Sequence, residues 1–457
     1  MNQQLALVSL ANYLNHQKEQ VLPNRIIHIA KRCLIDTLGV ALAGSQHLAV
    51  RKARCALSTG GKGAHFIGCR EQSSSATAAL VNATAAHVLD FDDNCYAGFV
   101  HGSAVIVPAA LAMAETLNVT GKELLKAIAL ASECQYRVGM LLDNELYYQG
   151  WWTTGILGTI GACAAAATLL QLNAEQSACA FGIAVASSCG MKNIFGTDCK
   201  SLMAGIAAQK GITAAILAKE GLSGPTDALE HPSGLINLCN NGHSNPDQFK
   251  IDTQTWCLEE VGVDIKRIPL CLSSHAAVDA LLHLKHQHHL TVEQIQRIDC
   301  DVPQIVVTNL IYDKPQTAQQ AQFSLPFAIA QSCLSDTITL DHLCDENLQC
   351  EQLNSLMAQV SYTSSSQWDL AQMAKEAPEG AEVTVHLKDG TSYSHFVAKA
   401  RGAASVPLDD EEISAKFSQC AQGVLSQNNI HKLLDDLWHI EAINTRELAN
   451  YWEHCYE

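Results

Sequence analysis

The sequence predicts a mainly α protein in which a large all-α helical domain carries a second, smaller α+β domain. Apolar residues recur every three or four positions as far as about residue 265, interrupted by Gly, Pro and polar loops. Between 266 and 404 the pattern changes to β-branched runs and an Asp-Gly turn, and helical spacing returns over 409–439. The expected domains are therefore 1–265, completed by the C-terminal helices within 405–457, and 266–404.

Residues 3–15 and 23–43 are expected helices, the second with Ile26, Ile27, Ile29, Ala30, Cys33, Leu34 and Leu38 at helical spacing and with Gly39 and Gly44 closing it. Gln46–Arg54 begins a third, and the loop Gly60-Gly61-Lys62-Gly63 leads to a short stretch, Ala64–Gly68. An Ala-rich helix over Ser73–Asn94 follows, then helices Ser103–Leu117, Lys122–Arg137, Gly155–Leu170 and Ala174–Ser187. The polar loop Ser188–Lys200 opens into a helix Leu202–Glu220, ended by Gly221 and Gly224-Pro225. Leu146–Ala174 carries no formal charge. Its Gly, Ala, Thr, Gln and Trp content nevertheless predicts a buried bundle helix and no membrane span. In the second domain Ser273 or Ser274 is expected to cap a helix Ala276–His286. Ile295–Asn309 is β-like through Val302, Ile305, Val306 and Val307, and Phe323–Leu334 is helical. Glu382–Leu387 and Thr391–Ala398 form a hairpin about Asp389-Gly390.

The 457 residues are 48% hydrophobic and 16% charged, ordinary for a globular chain. A net charge of −17 argues against nucleic acid and anionic membrane as partners, and it obliges any anionic substrate to find a locally positive pocket. The 18 cysteines are scattered without a CxxC pair, and the N-terminus has no basic stretch followed by an apolar one. Free thiols and a cytoplasmic location are expected. No G-x-G-x-x-G, P-loop, H-E-x-x-H or G-x-S-x-G pattern occurs in a suitable context, so nicotinamide, nucleotide and zinc-protease chemistries lose ground.

The chemistry-bearing stretch is 87–108. Asp90, Asp92 and Asp93 lie between His87 and His101, and a small-residue helix begins at Ser103. Asp90 and Asn94 share a face if the preceding helix runs that far, and the loop Cys95–Val100 can fold His101 back towards it. Three readings of the carboxylates stand: a Mg²⁺ site, structural capping and pairing, or a general base or orienting carboxylate for His101. His101 precedes a helix N-terminus, which favours the neutral, base-competent ring. Lys200 at the mouth of the next helix, and Lys266 with Arg267 before Ser273-Ser274-His275, are candidate anion sites.

In order along the chain, Ala86-His-Val-Leu-Asp-Phe-Asp-Asp-Asn94, His101-Gly-Ser-Ala-Val-Ile-Val-Pro108, Gly196-Thr-Asp-Cys-Lys-Ser-Leu-Met-Ala-Gly205, Lys219-Glu-Gly-Leu-Ser-Gly-Pro-Thr226, Ser274-His-Ala-Ala-Val-Asp-Ala280, Phe323-Ser-Leu-Pro-Phe327 and Val383-Thr-Val-His-Leu-Lys-Asp-Gly390 resemble the MmgE/PrpD family. That family contains 2-methylcitrate dehydratases, cis-aconitate decarboxylases and iminodisuccinate epimerases. The resemblance implies a helical domain with an α+β lid domain, a homodimer, and no metal or organic cofactor, which lowers the Mg²⁺ reading. It places the family's catalytic positions on Asp90, His101, Lys200 and Lys266, and the expected substrate contacts are Asn94, Trp152, Arg267, Cys271, Ser273 and His275. Asn94 stands where Thr is frequent, Trp152 where His is frequent, and Phe327 where Tyr is frequent. Cys271 stands at a position that is His in some aconitate decarboxylases and often Cys elsewhere.

The expected activity is that of a cofactor-independent lyase, a dehydratase or decarboxylase, abstracting a proton α to a carboxylate of a small di- or tricarboxylic acid. Lys200 or His101 takes the proton, Asp90 orients the base, Lys266 and Arg267 hold carboxylates, and Asp92 and Asp93 are structural. An epimerase of a dicarboxylate is the alternative, favoured by the proton-carrying groups missing at 152 and 327. A non-catalytic carboxylate binder is the third.

Overall fold

The computed structural model describes residues 5–58, 60–251 and 253–451. Residues 1–4, which include the first two positions of the expected helix 3–15 and the start of the segment read for a leader, lie outside the described residues, as do 452–457 of the expected C-terminal segment. The helices run α1 (Ala6–Gln17), α2 (Asn24–Ser45), α3 (Leu48–Leu57), α4 (Ser75–His87), α5 (Ser103–Leu117), α6 (Gly121–Leu142), α7 (Thr153–Leu169), α8 (Ala174–Ser187) and α9 (Asp198–Lys219). After a loop-rich stretch come α10 (His275–Gln287), α11 (Gln304–Asn309), α12 (Leu325–Leu334), α13 (Asp410–Ala421) and α14 (Gln427–Trp438). The protein is mainly α.

The described residues divide into two compact units. One takes those of Met1–Val88, Asp92–Asp264 and Asp409–Glu457, and the other takes Leu89–Phe91 and Ile265–Leu408. In the first, small residues decide how closely helices pack. Gly44 is the last residue but one of α2, close to the end the sequence suggested, and an added Cβ there would stand 2.0 Å from the Ala85 carbonyl oxygen of α4. Gly39 is likewise helical, with Phe417 of α13 against its α-carbon. Every residue of α7 is buried, as expected for its uncharged sequence, and it packs on α5, α6 and α9. Gly161 of α7 leaves room for the Gln135 side chain of α6, which an added Cβ would meet at 2.3 Å. A buried ion pair ties the C-terminal return to this bundle: Lys416 Nζ of α13 lies 2.6 Å from Asp36 Oδ1 of α2.

The second unit is built on a four-stranded sheet of β1 (Ile295–Asp301), β2 (Val360–Thr363), β3 (Ala381–Leu387) and β4 (Ser392–Val397) in the order β2-β1-β3-β4. β1 pairs in parallel with β2, with Ile298 opposite Val360, and antiparallel with β3, with Ile298 opposite Val385. The expected hairpin is present, with Val383 opposite His395. β3 alternates inward Ala381, Val383, Val385 and Leu387 with half-exposed partners, the period-two pattern of a sheet with one covered face. α10 covers β3 and β4, and Leu281, Leu325, Phe327 and Ile329 fill the core.

Two expectations need correction here. The strand read over Ile295–Asn309 stops at Asp301, and Gln304–Asn309 is α11. Pro303 has no N–H for a ladder, and its φ of −59° suits a helix start, so it outweighs the β-branched Val306 and Val307. The cap expected from Ser273 or Ser274 is absent: Ser274 precedes α10 in a helical conformation, and a 3₁₀ turn over Leu272–Ser274 leads in.

Candidate functional site

The helix expected to reach Asn94 ends at His87. Leu89–Phe91 then belongs to the second unit, with Asp90 in the left-handed region at φ 49°, and the chain is back in the first unit from Asp92. Asp90 and Asn94 therefore do not share a helical face. Asn94 exchanges backbone hydrogen bonds with Asp264, at 2.9 and 2.8 Å. Cys95 and Val100 exchange another pair, closing a turn through Gly98 and Phe99 that carries His101 back to Asp92 and the Asp93 carbonyl. Thr153 Oγ1 donates to the Phe99 carbonyl at 2.5 Å, and the His101 N–H donates to Thr154 Oγ1 at 3.0 Å. The start of α7 thus fixes this turn.

In the first unit two imidazoles meet one carboxylate. His87 Nδ1 lies 2.8 Å from Asp92 Oδ2, and His101 Nδ1 lies 3.4 Å from the same oxygen. His101 Nδ1 is also 2.9 Å from the Asp93 carbonyl oxygen. A carbonyl oxygen only accepts, so His101 Nδ1 carries the hydrogen, and in the neutral ring Nε2 keeps a lone pair. The His87 and His101 ring centroids are 4.7 Å apart, with Trp152 5.3 Å from His87 on average ring position. The side chain of His101 is 16% exposed and those of His87 and Asp92 are fully buried, so within this group His101 is the one that can be approached. From the sequence, Asp92 is expected to be structural, and His87 brackets the carboxylates without an assigned role. Their spacing of five residues across a helix end matches no simple period.

Asp93 is fully buried, and its Oδ1 accepts from the Ser103 N–H at 3.2 Å, at the start of α5. Burial pushes its carboxyl up to about 7, Asp36 and Asp92 add to the rise, and the Ser103 hydrogen bond opposes it. The native state therefore holds a proton that the unfolded chain has released between about pH 4 and pH 7, and stability from this group falls as pH rises through that window. Asp93→Asn keeps the acceptor and removes the burden. Its melting temperature relative to the parent is expected to rise more at pH 8 than at pH 5. An equal difference at both pH values would contradict this.

Lys200 is buried in the first turn of α9, one turn earlier than the sequence placed the helix. Its Nζ lies 6.0 Å from the Trp152 ring centroid and 5.4 Å from that of Phe195. Trp152 itself is buried at the entry to α7.

In the second unit the fully buried Lys266 ammonium lies 3.1 Å from Asp90 Oδ2 and donates to the Asp90 carbonyl oxygen at 2.6 Å. Gln322 Nε2 donates to the Leu89 carbonyl at 2.7 Å, so segment 89–91 is held from two sides. Arg267, expected beside Lys266 as a carboxylate holder, forms an ion pair with Asp279. The Cys271 thiol is pushed up to about 11 by burial and by Asp90, against the opposing charge of Lys266. Ser273 donates its hydroxyl to Glu379 and accepts from Asn309 Nδ2 at 3.1 Å. His275 is buried, and its Nε2 donates to the Leu270 carbonyl at 3.2 Å. The expected residues thus fall into two sets, His101, Asn94, Trp152 and Lys200 in one unit and Asp90, Lys266, Arg267, Cys271, Ser273 and His275 in the other.

Among the described residues, His87, Asp92 and His101 also form a group whose ligand-type atoms lie within 4.8 Å of one another. Hydrogen bonding accounts for that closeness, since Asp92 Oδ2 faces two imidazole Nδ1 atoms and His101 Nδ1 is protonated. A metal bound through the Nδ1 atoms would release those hydrogens. A cavity of about 500 Å³ lined in part by Trp151, Val185, Asp227, His231 and Leu238 opens in the first unit, and none of the expected site residues lines it.

Comparison with known proteins assigns both parts of the chain. The MmgE/PrpD N-terminal domain matches residues 8–248, and the MmgE/PrpD C-terminal domain matches 268–440. The chain is 26% identical to cis-aconitate decarboxylase of Homo sapiens over 456 residues, which covers 95% of this chain and 92% of that protein. It is 26% identical to the Mus musculus cis-aconitate decarboxylase, covering 93% and 88%, and 21% identical to that of Aspergillus terreus, covering 91% and 89%. With both domain matches spanning nearly its whole length, the chain belongs to the MmgE/PrpD family.

Proposed function

We propose that the chain is a lyase acting on a small di- or tricarboxylic acid by taking a proton from the carbon α to a carboxylate. The observation that carries this reading is the hydrogen bond of His101 Nδ1 to the Asp93 carbonyl, at 2.9 Å: with Nδ1 donating, the lone pair of the neutral ring is on Nε2, the basic atom. Lys200, held near the rings of Trp152 and Phe195, supplies positive charge to the substrate carboxylate as the adjacent carbon becomes carbanionic. Lys266, expected to hold a carboxylate, lies in the second unit, where Asp90 holds its ammonium in place. Arg267, engaged by Asp279, is dropped from the substrate contacts.

Decarboxylation of cis-aconitate, the reaction in the names of the human, mouse and Aspergillus relatives, is the first to try; there the breaking C–C bond releases CO₂ and leaves its electron pair on the carbon framework, and a protonated His101 ring would deliver the proton that quenches it. NMR of the protein with cis-aconitate and a panel of related di- and tricarboxylates reads the outcome. Loss of CO₂ or water, abolished in Lys200→Ala, supports the lyase. Inversion at carbon without loss points to an epimerase, which Trp152 and Phe327 favour because neither side chain is an acid–base group. Binding without either event would sink the enzymatic reading. The reaction is proposed to need no metal, so dialysis against a chelator is expected to leave turnover unchanged. Activity lost to the chelator and restored by a divalent cation would contradict that.

A further inference from the structure

We propose that Asp92 is a positioning residue: shared by His87 and His101, its carboxylate holds the two rings in register and balances the positive charge that His101 acquires on taking a proton. The inference rests on His101 acting as the base in the proposed reaction, and it names the group behind that base.

The geometry carries it in three steps. Asp92 is fully buried and its Oδ2 is 2.8 Å from His87 Nδ1, so a buried carboxylate is anchored by an equally buried imidazole. That anchor fixes where Oδ2 stands, and it stands 3.4 Å from His101 Nδ1, the nitrogen that also donates to the Asp93 carbonyl. A carboxylate at that distance in a site of low dielectric favours the charged ring by an amount that bulk water would erase. His87 has no exposure of its own and lies among His101, Asp92 and Trp152, so it acts through Asp92 and not on substrate.

Other charges face this group. Asp93 lies beside Asp92 in the same segment, Asp36 of α2 acts on Asp93, and Asp93 in turn acts on Cys33 of α2. Lys200 of α9 stands over Trp152. Of these, Asp92 is the carboxylate whose oxygen is shared by both imidazoles.

Asp92→Asn keeps the shape and one acceptor oxygen but removes the charge. It is expected to lower kcat about 100-fold with KM within about threefold. In NMR titrations of ¹⁵N-histidine-labelled protein, with His101 assigned through His101→Gln, the His101 ring is expected to titrate about one unit lower in Asp92→Asn than in the parent. His87→Asn places an amide N–H near the position of Nδ1 and is expected to retain activity within about tenfold, whereas His87→Leu falls about 100-fold. A folded Asp92→Asn with near-parental kcat, or with an unmoved His101 titration, overturns the proposal. The titration needs no substrate. If the acid panel is not turned over while the titration still shifts, the lyase reading fails and the positioning role of Asp92 stands.

Discussion

His101→Gln is expected to lower kcat by about 10³-fold and to leave KM within about threefold of the parent. Glutamine keeps a side chain of similar reach, and its amide can still donate to the Asp93 carbonyl and lie near Asp92, as His101 Nδ1 does. It has no lone pair of useful basicity where Nε2 stood. The loss should therefore fall on the chemical step, about 4 kcal/mol of transition-state stabilisation, and not on binding. Steady-state kinetics on whichever acid the panel identifies provides the check. A variant that raises KM and keeps kcat would make His101 a binding residue and hand the base role to Lys200.

The second large effect is structural. Lys416→Met is expected to cost about 3–5 kcal/mol, because it leaves the Asp36 carboxylate in the core without the ammonium 2.6 Å away. Both side chains are buried almost completely, so solvent cannot take over the charge. Thermal unfolding should show a melting temperature lower by about 6–10 °C. The double variant Asp36→Leu with Lys416→Met removes both charges and is expected to recover most of the loss. A single variant as stable as the parent would mean that the pair does not hold α13 against α2.

What could be read from the sequence follows from how local each signal is. The hairpin about Asp389-Gly390 and the helix Ser103–Leu117 are specified by neighbours in the chain, and both are found where the sequence put them. The overextended helix through Asn94 and the strand through Asn309 failed where a single backbone choice, at Asp90 or Pro303, outweighs propensity. Gly39 misled because a glycine that ends a helix and one that admits another helix look alike until the partner, Phe417, is known. At the candidate site the motif residues were legible as chemistry-bearing types, but their pairings were not. Arg267 had to be seen beside Asp279, and Asp92 between two imidazoles, before their roles could be separated.

The central claim is that the His101 ring moves a proton at the carbon α to a carboxylate. The most direct measurement is NMR of the substrate and product in deuterium oxide, for the parent and for His101→Gln. The parent is expected to place solvent deuterium at one carbon, on one face, and His101→Gln to slow that incorporation at least 100-fold. Turnover without deuterium at that carbon, or incorporation at the parental rate in His101→Gln, would contradict the claim.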